Sequence, residues 1–563
     1  MVLPHGPQTA GDCQIVYELD REAVERAAEY GTLEDEIQRQ KTHISTLPND
    51  SEEDDRSSDT RGSQVGTDYK YLEWTTPVEE LCPNPGQLPR GVIEVVDPFR
   101  WGNTKKNVTL ALCCASTFVA AYTAGAYTSG LAQMEVEWNM ERVPLLVGVT
   151  CYTTGFAIAP MFLAPLSEVY GRRNVFLASY ILFTVCTLAC ALTDNYAGML
   201  VARIFLGVGG STFSTLCGGV ISDIYHAEFR GFPMACFSTV ALFGTGAGPL
   251  VSGFIAEYMN WRWIHWVQLI FNAVLLVAAA IWFKETRGSV LLIRRAKALN
   301  KYLDEHCHEG VDPATEKGSL RVRWKVKAEE ERAGLSQMVR VSLTRPFHLL
   351  FTEPVVFFFS LWTAFSWGIL YLFLQGVPLV FQTSHKFTIS QVGSVFTSMC
   401  IASFLALGLN SLVEGSARRF MPQAKGPETR LYASCTLGAL LPIGMFWFGW
   451  TSFPSQHWIL PTCAVGAVTI GIFSVYLAVF NYFADTYHRY ASSALAAQSF
   501  CRNMLAGFFP LITDAMYHRM TFQGASSFLG GVGLMLSIIP WVLVVYGDRI
   551  RRRSKFASEI MEV

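Results

Sequence analysis

The chain has 563 residues, of which 51% are hydrophobic, 13% aromatic and only 16% charged, against roughly 25% charged in an average soluble protein. That balance argues against a cytosolic enzyme, a nucleic-acid binder or a disordered scaffold, and for a polytopic membrane protein. The net charge of -2 conceals an asymmetry: residues 1–100 carry 9 Lys and Arg against 21 Asp and Glu, while the remainder carries 35 against 25.

Residues 1–100 read as an acidic, largely disordered cytoplasmic tail. Its opening stretch has neither a basic nor an apolar signal region, so no cleaved signal peptide is expected. Residues 14–40 have the pattern of an amphipathic helix, whereas Ser51–Asp59 is too polar and acidic to bury a core. Asn49 and Asn107 begin glycosylation-type triplets, but both fall on the cytoplasmic side of the expected topology, so no glycosylation is expected.

Twelve apolar segments follow, each long enough to cross a hydrocarbon core of about 30 Å as a helix. Six lie at about 107–131, 144–165, 174–193, 196–221, 233–256 and 264–283, within a first half spanning 101–284. A polar cytoplasmic linker, 285–345, separates these from six more at about 351–381, 391–412, 432–450, 457–484, 491–513 and 525–547, within a second half spanning 346–548. A basic tail, 549–563, closes the chain. The fold class expected is therefore an all-α membrane protein of twelve transmembrane helices in two six-helix pseudo-repeats.

Orientation follows from Lys and Arg, which remain in cytoplasmic loops. With both termini cytoplasmic, the outer loops hold four basic residues, Arg142, Arg262, Lys386 and Arg519; the inner loops and C-terminal tail hold 27. Arg203 and Arg502 fall inside spans. The halves also echo each other: Glu168-x-x-x-Arg172-Arg173 follows the second segment and Glu414-x-x-x-Arg418-Arg419 the eighth, which supports a duplicated unit. Most of the fourteen cysteines sit in apolar runs, and none forms a C-x-x-C pair with His; neither a metal site nor a disulfide framework is suggested.

Between the second and third segments, Ala164-Pro-Leu-Ser-Glu168-Val-Tyr-Gly171-Arg172-Arg173 joins a turn-forming glycine to a carboxylate and two guanidinium groups. On residue types alone this is either a topology anchor or a gate, with Glu168 pairing with the arginines or facing a helix N-terminus. Gly244-x-x-x-Gly248-Pro249-x-x-Ser252-Gly253 permits close helix packing and a bend. Neither Gly-rich stretch has the strand and acidic partner of a dinucleotide loop.

The first stretch resembles motif A of the major facilitator superfamily, with Ala164 and Glu168 in place of its Gly and Asp. Arg203-Ile-Phe-Leu-Gly207 resembles motif B, and the Gly244–Gly253 run resembles motif C of the antiporter branch, with Ser252 replacing a glycine. The superfamily itself exemplifies transporters built from repeats. Trp261-Arg262-Trp263, the Glu285–Lys297 run, Pro427–Leu431 and Asn481–Tyr487 extend the likeness to the fungal twelve-helix drug:proton antiporters over about residues 95–555. The resemblance implies an inside gate at Glu168, Gly171, Arg172 and Arg173, a proton-coupling role for Arg203, and a packing motif at Gly244, Gly248, Pro249 and Gly253. Candidate cavity residues are Tyr122, Tyr371, Gln375, Asn481 and Arg502. Gln375 stands where the branch often carries Glu, and it cannot titrate.

Four functions compete: export of an organic molecule by proton antiport, uptake of a nutrient or cation, a transport-inactive sensor, and a membrane-bound enzyme. No Walker loop, H-E-x-x-H or nucleophile constellation occurs, so the expectation is not an enzyme, without cofactor or metal. Motif C favours export. The two permanent charges deep in the spans are both positive, which favours a neutral or weakly acidic substrate such as a drug or secondary metabolite, with a polyamine or other cation as the alternative. Protons, lipid and the small molecule are the expected partners, with no nucleic acid; a monomer in the cell membrane or an internal membrane is expected.

Overall fold

The computed structural model describes residues 67–77, 88, 90–226, 229–306, 321–330, 334–420, 426–487 and 490–554. The amphipathic and acidic stretches of the tail, 14–40 and 51–59, lie outside the described residues. In the first half, α1 (Asn103–Ala126) passes through a tight turn into α2 (Leu131–Trp138). Next come α3 (Arg142–Ile158) and α4 (Pro160–Tyr170), which meet at a 41° bend. Pro160 explains the bend, because it removes an amide donor and crowds the preceding turn. Then follow α5 (Arg172–Leu192), α6 (Tyr196–Ile224), α7 (Gly231–Tyr258) and α8 (Arg262–Trp282).

The middle of the chain forms α9 (Gly288–His306) and α10 (Leu335–Thr352). The second half comprises α11 (Pro354–His385), α12 (Ile389–Val395), α13 (Thr397–Phe420), α14 (Tyr432–Leu437), α15 (Leu440–Trp450), α16 (Ile459–Tyr487), α17 (Ala491–Leu536) and α18 (Ile538–Arg553). Among the described residues, ten helical stretches are long and apolar enough to cross a membrane, or eleven with α3 and α4 taken as one bent crossing. The last stretch, Ala491–Arg552, is 62 residues long and is interrupted at Thr521, whose φ of 64° and ψ of 165° are not helical. The Thr521 hydroxyl accepts the Gly524 amide at 3.2 Å, as a cap does at the start of a new helix.

The exposed faces of the helices are largely apolar, and polar side chains lie at buried positions beside the apolar core. On α8, Ile270, Phe271, Val274, Val277 and Ile281 are all more than half exposed, while His265, Gln268 and Asn272 are buried. Such a face suits hydrocarbon and not water. Within the halves, α7 packs on α1, α6 on α3 and α5, and α11 on α17; between them, α3 meets α17, and α7 meets α12 and α13.

The described residues of the tail include a strand. Strand β1 (Thr67–Tyr71) runs parallel to β2 (Arg321–Lys325), with Tyr69 opposite Arg323 and Tyr71 opposite Lys325. Leu72, Leu88 and Val92 pack with Leu292, Ile293 and Leu299 of α9 and with Trp324 and Val326. Asn300 pins the strand to α9, its amide bonding both the backbone N–H and the carbonyl of Trp324 at 2.8 Å. Glu330 accepts from Lys325 Nζ at 2.8 Å and from the Tyr71 hydroxyl at 2.6 Å. Lys325, then Tyr71, hold its carboxyl below the ordinary glutamate value. Residues on either side of the first half thus form one small clasp, and the all-α expectation is amended by a two-stranded sheet.

Candidate functional site

Four groups of residues position the candidate machinery. The first surrounds the α4–α5 turn. Gly171 has φ +93°, a conformation that only glycine adopts without strain, and a side chain there would collide with the Glu285 carboxylate. Glu285, 5% exposed, accepts the amides of Arg172 at 2.8 Å, Arg173 at 3.3 Å, Thr286 at 3.1 Å and Arg287 at 3.0 Å. A carboxylate at the positive N-terminal end of α5 is electrostatically favourable.

Arg172 Nε pairs with Asp223 at 3.1 Å, and its Nη1 donates to the Ser167 hydroxyl at 2.9 Å. Arg287 joins the network, at 3.4 Å from Asp223 and 3.9 Å from Glu168, and Arg173 Nη2 donates to the Ala280 carbonyl at 3.0 Å. Glu168, which the sequence offers as a partner of the arginines or of the helix N-terminus, lies 3.9 Å from Arg287. Asp223 pairs with Arg172 and Glu285 holds the N-terminus, because Gly171 turns the chain so that α5 starts directly over the α8–α9 connection. These contacts join the first half to the start of the linker. Helix α10 supplies the bridge to the second half, packing against both α4 and α17.

The second group surrounds Arg203. It is fully buried in α6; its Nε donates to the Gly148 carbonyl at 3.1 Å, and its guanidinium lies 4.2 Å from the Tyr127 ring centre and 5.0 Å from that of Tyr152. Among the described residues, Nη1 and Nη2 have no hydrogen-bond partner. Two aromatic faces and one carbonyl therefore carry this cation. Buried His265 and Gln268 also have unpartnered polar atoms.

The third group is the glycine face of α7. A Cβ at Gly244 would stand 2.7 Å from the Phe118 carbonyl oxygen, and one at Gly248 2.7 Å from that of Tyr122. Pro249 packs over Gly125, and Gly253 faces the backbone of Ile389 and Gly393. One side of this motif thus seats α1, while the other touches the second half. Close by, the Glu257 carboxylate accepts the Ser390 amide at 2.6 Å, and Arg142 Nη2 donates to Gln375 Oε1 at 3.1 Å. These contacts join the halves at the end of the bundle opposite Arg172.

The fourth feature is a cavity between the halves, with about 470 Å³ of space between atoms, part of it open to solvent. Its walls include Thr117, Ala120 and Ala124 of α1, Tyr152 of α3, Trp367 and Tyr371 of α11, and Arg502 and Asn503 of α17. Arg502, 4% exposed, sits 4.5 Å from the Trp367 ring centre and 5.0 Å from that of Tyr476. Among the described residues that line the space it is the sole charged side chain, and none is a carboxylate. Of the five cavity candidates, Tyr371 and Arg502 line it. Tyr122 is buried with an unpartnered hydroxyl, Gln375 is engaged by Arg142, and half-buried Asn481 lies outside the lining set. Trp367, one turn before Tyr371, belongs to the aromatic run that the sequence offers as an apolar wall. Tyr476 and Asn503 were not singled out: Tyr476 lies on α16, and Asn503 is the neighbour of Arg502 in the chain.

The Major Facilitator Superfamily model matches residues 113–511. The chain belongs to this superfamily. An MFS-type transporter, paaT, of Penicillium rubens is 32% identical over 82% of this chain and 82% of its own length. The multidrug transporter mdrA of Aspergillus fumigatus is 32% identical over 82% of this chain and 74% of its own. Among solved structures, the xylose transporter XylE from E. coli superposes with a TM-score of 0.52 at 15% identity, covering 77% of this chain and 98% of that one. That likeness supports the fold alone. Superfamily and fold are those of transporters rather than enzymes, and a multi-pass membrane protein follows from the family and the apolar helices.

Proposed function

We propose that this transporter exports a small neutral or weakly acidic amphiphile from the cytoplasm by proton antiport and alternating access. The observation that carries the reading is the cavity: aromatic walls, small polar groups and one buried cation. An unneutralised guanidinium in such a space attracts anions and penalises cations. The relatives' names support efflux, since they include efflux pump MFS2 of Trichophyton rubrum as well as the multidrug transporter above.

Twelve crossings fit the geometry once α3 and α4 count as one and the chain re-enters at Thr521. An even number returns both termini to the same side, and the excess of basic residues makes that side cytoplasmic. The cell membrane is the proposed location, and the monomer the working unit. In this reading the Gly171–Arg172 network controls the cytoplasmic end, while the Arg142–Gln375 and Glu257–Ser390 contacts close the outer one. Arg203 couples the proton without titrating, by acting on water and neighbouring groups.

The test is efflux from cells expressing the chain, challenged with size-matched acidic, neutral and cationic amphiphiles. Export of the acidic and neutral compounds, lost in Arg502→Gln, is the expected pattern. Resistance confined to spermine-like cations would overturn the substrate assignment.

A further inference from the structure

The end of α18 is held to the second half by two carboxylates that the transport site does not use. Glu353, at the N-terminus of α11, is 2% exposed. Its Oε2 accepts the Ser554 hydroxyl at 2.6 Å and the Tyr487 hydroxyl at 3.5 Å. One turn earlier on α18, Arg551 pairs with Glu428, and Gly547 leaves room for the same carboxylate. Ser554 caps the C-terminus of α18 and directly follows Arg551-Arg552-Arg553. Arginines two and three residues before a serine suit the acidic substrate groove of a basophilic protein kinase.

We propose that Ser554 is a phosphorylation site for such a kinase and that the phosphate frees the end of α18 from Glu353. The γ-phosphoryl group of ATP passes to Ser554 Oγ: the bond to the ADP oxygen breaks, the Oγ–P bond forms, the hydroxyl proton goes to the kinase's base, and ADP leaves. The hydroxyl donor is thereby replaced by about -1.5 to -2 charges facing a buried carboxylate. The phosphate also lies at the negative end of the helix dipole. Of the described guanidinium groups nearby, Arg551 pairs with Glu428 and lies 3.7 Å from Asp548, and Arg552 lies 3.1 Å from Asp548. A kinase binds an extended segment, so it acts when this helix end frays, and the phosphate then traps the frayed form. Cellular use of the site rests on the cytoplasmic C-terminus proposed above.

The full chain, purified in detergent, is incubated with ATP and the catalytic subunit of cAMP-dependent protein kinase, then followed by mass spectrometry and hydrogen exchange. One phosphate on Ser554, absent from Ser554→Ala, is expected, with amide exchange across Gly547–Arg553 accelerated by about tenfold or more, the scale of losing a hydrogen bond to a charged group. Ser554→Ala alone loosens the segment less than the phosphate does, because it removes the donor without adding repulsion. No incorporation at Ser554 would overturn the proposal, as would incorporation with unchanged exchange. Sealed vesicles of each orientation separate the topology from the site: labelling in detergent and only from the extracellular face would refute the cytoplasmic terminus and the cellular role, leaving the acceptor chemistry intact.

Discussion

Replacing Gly248 by alanine tests how tightly the first half is packed. The new Cβ would meet the Tyr122 carbonyl oxygen at 2.7 Å, the Ala126 nitrogen at 2.8 Å and the Gly125 carbonyl carbon at 3.0 Å. All three are backbone atoms, so no side chain can rotate away and α1 must shift. Overpacking of this kind costs about 1–3 kcal/mol. Alanine also improves helix propensity by roughly 1 kcal/mol, which would mask part of the effect. Gly408 supplies the control: it is exposed on α13, and a Cβ there meets nothing within 4 Å. Its alanine variant takes the same propensity gain without the clash, so the difference between the two variants isolates the packing cost. Thermal unfolding in one detergent, followed by tryptophan fluorescence, should place Gly248→Ala below Gly408→Ala by an amount corresponding to about 1–3 kcal/mol. Identical midpoints would refute the close seating of α1 on α7.

Other expectations follow from the same contacts. Asp223→Asn leaves Arg172 without its carboxylate and should destabilise the first half by about 3–5 kcal/mol, measured by thermal unfolding alongside expression in the membrane; a neutral result would show that the pair is dispensable. Glu285→Gln should sharply reduce flux while protein remains in the membrane, because the amides at the start of α5 lose a charged acceptor. Arg203→Lys keeps the charge but loses the planar fork over the two tyrosines; transport under a pH gradient should fall, and normal transport would exclude the coupling role. In the clasp, Glu330 is held below its ordinary value, so its contribution to stability is full above the unfolded carboxyl pKa and is lost as pH falls through the lowered folded value. Protection factors of the β1 amides, taken relative to intrinsic exchange at each pH, should fall over that acidic range and should no longer change with pH there in Glu330→Gln.

The crossings were legible because each needs a long apolar run, and the motif glycines because small residues at fixed spacing have a packing meaning. Thr521 shows the limit. The sequence separates 491–513 from 525–547, but nothing in its composition reveals that one threonine with positive φ makes the break. The partners of Arg172 were hidden for a different reason: Asp223 and Glu285 lie 51 and 113 residues away along the chain, and charge spacing cannot choose among acids at that range. The clasp strands were missed similarly. Trp324 and Val326 carry the alternation of a strand, yet its partner at Thr67–Tyr71 lies in a stretch whose overall composition reads as disordered. Of the cavity, Arg502 and Tyr371 were visible as a charge and an aromatic inside spans, whereas the engagement of Gln375 by Arg142 depends on how the two halves meet.

Proton-coupled export is tested most directly in proteoliposomes containing the purified chain and a neutral fluorescent amphiphile supplied outside. A neutral probe is needed because a weak acid redistributes with pH on its own. With an acidic lumen, antiport predicts probe accumulation inside against its gradient, abolished when nigericin collapses the pH difference and absent from liposomes lacking protein. Accumulation indifferent to the pH difference, or driven by an acidic exterior so that probe and proton move together, would contradict the account.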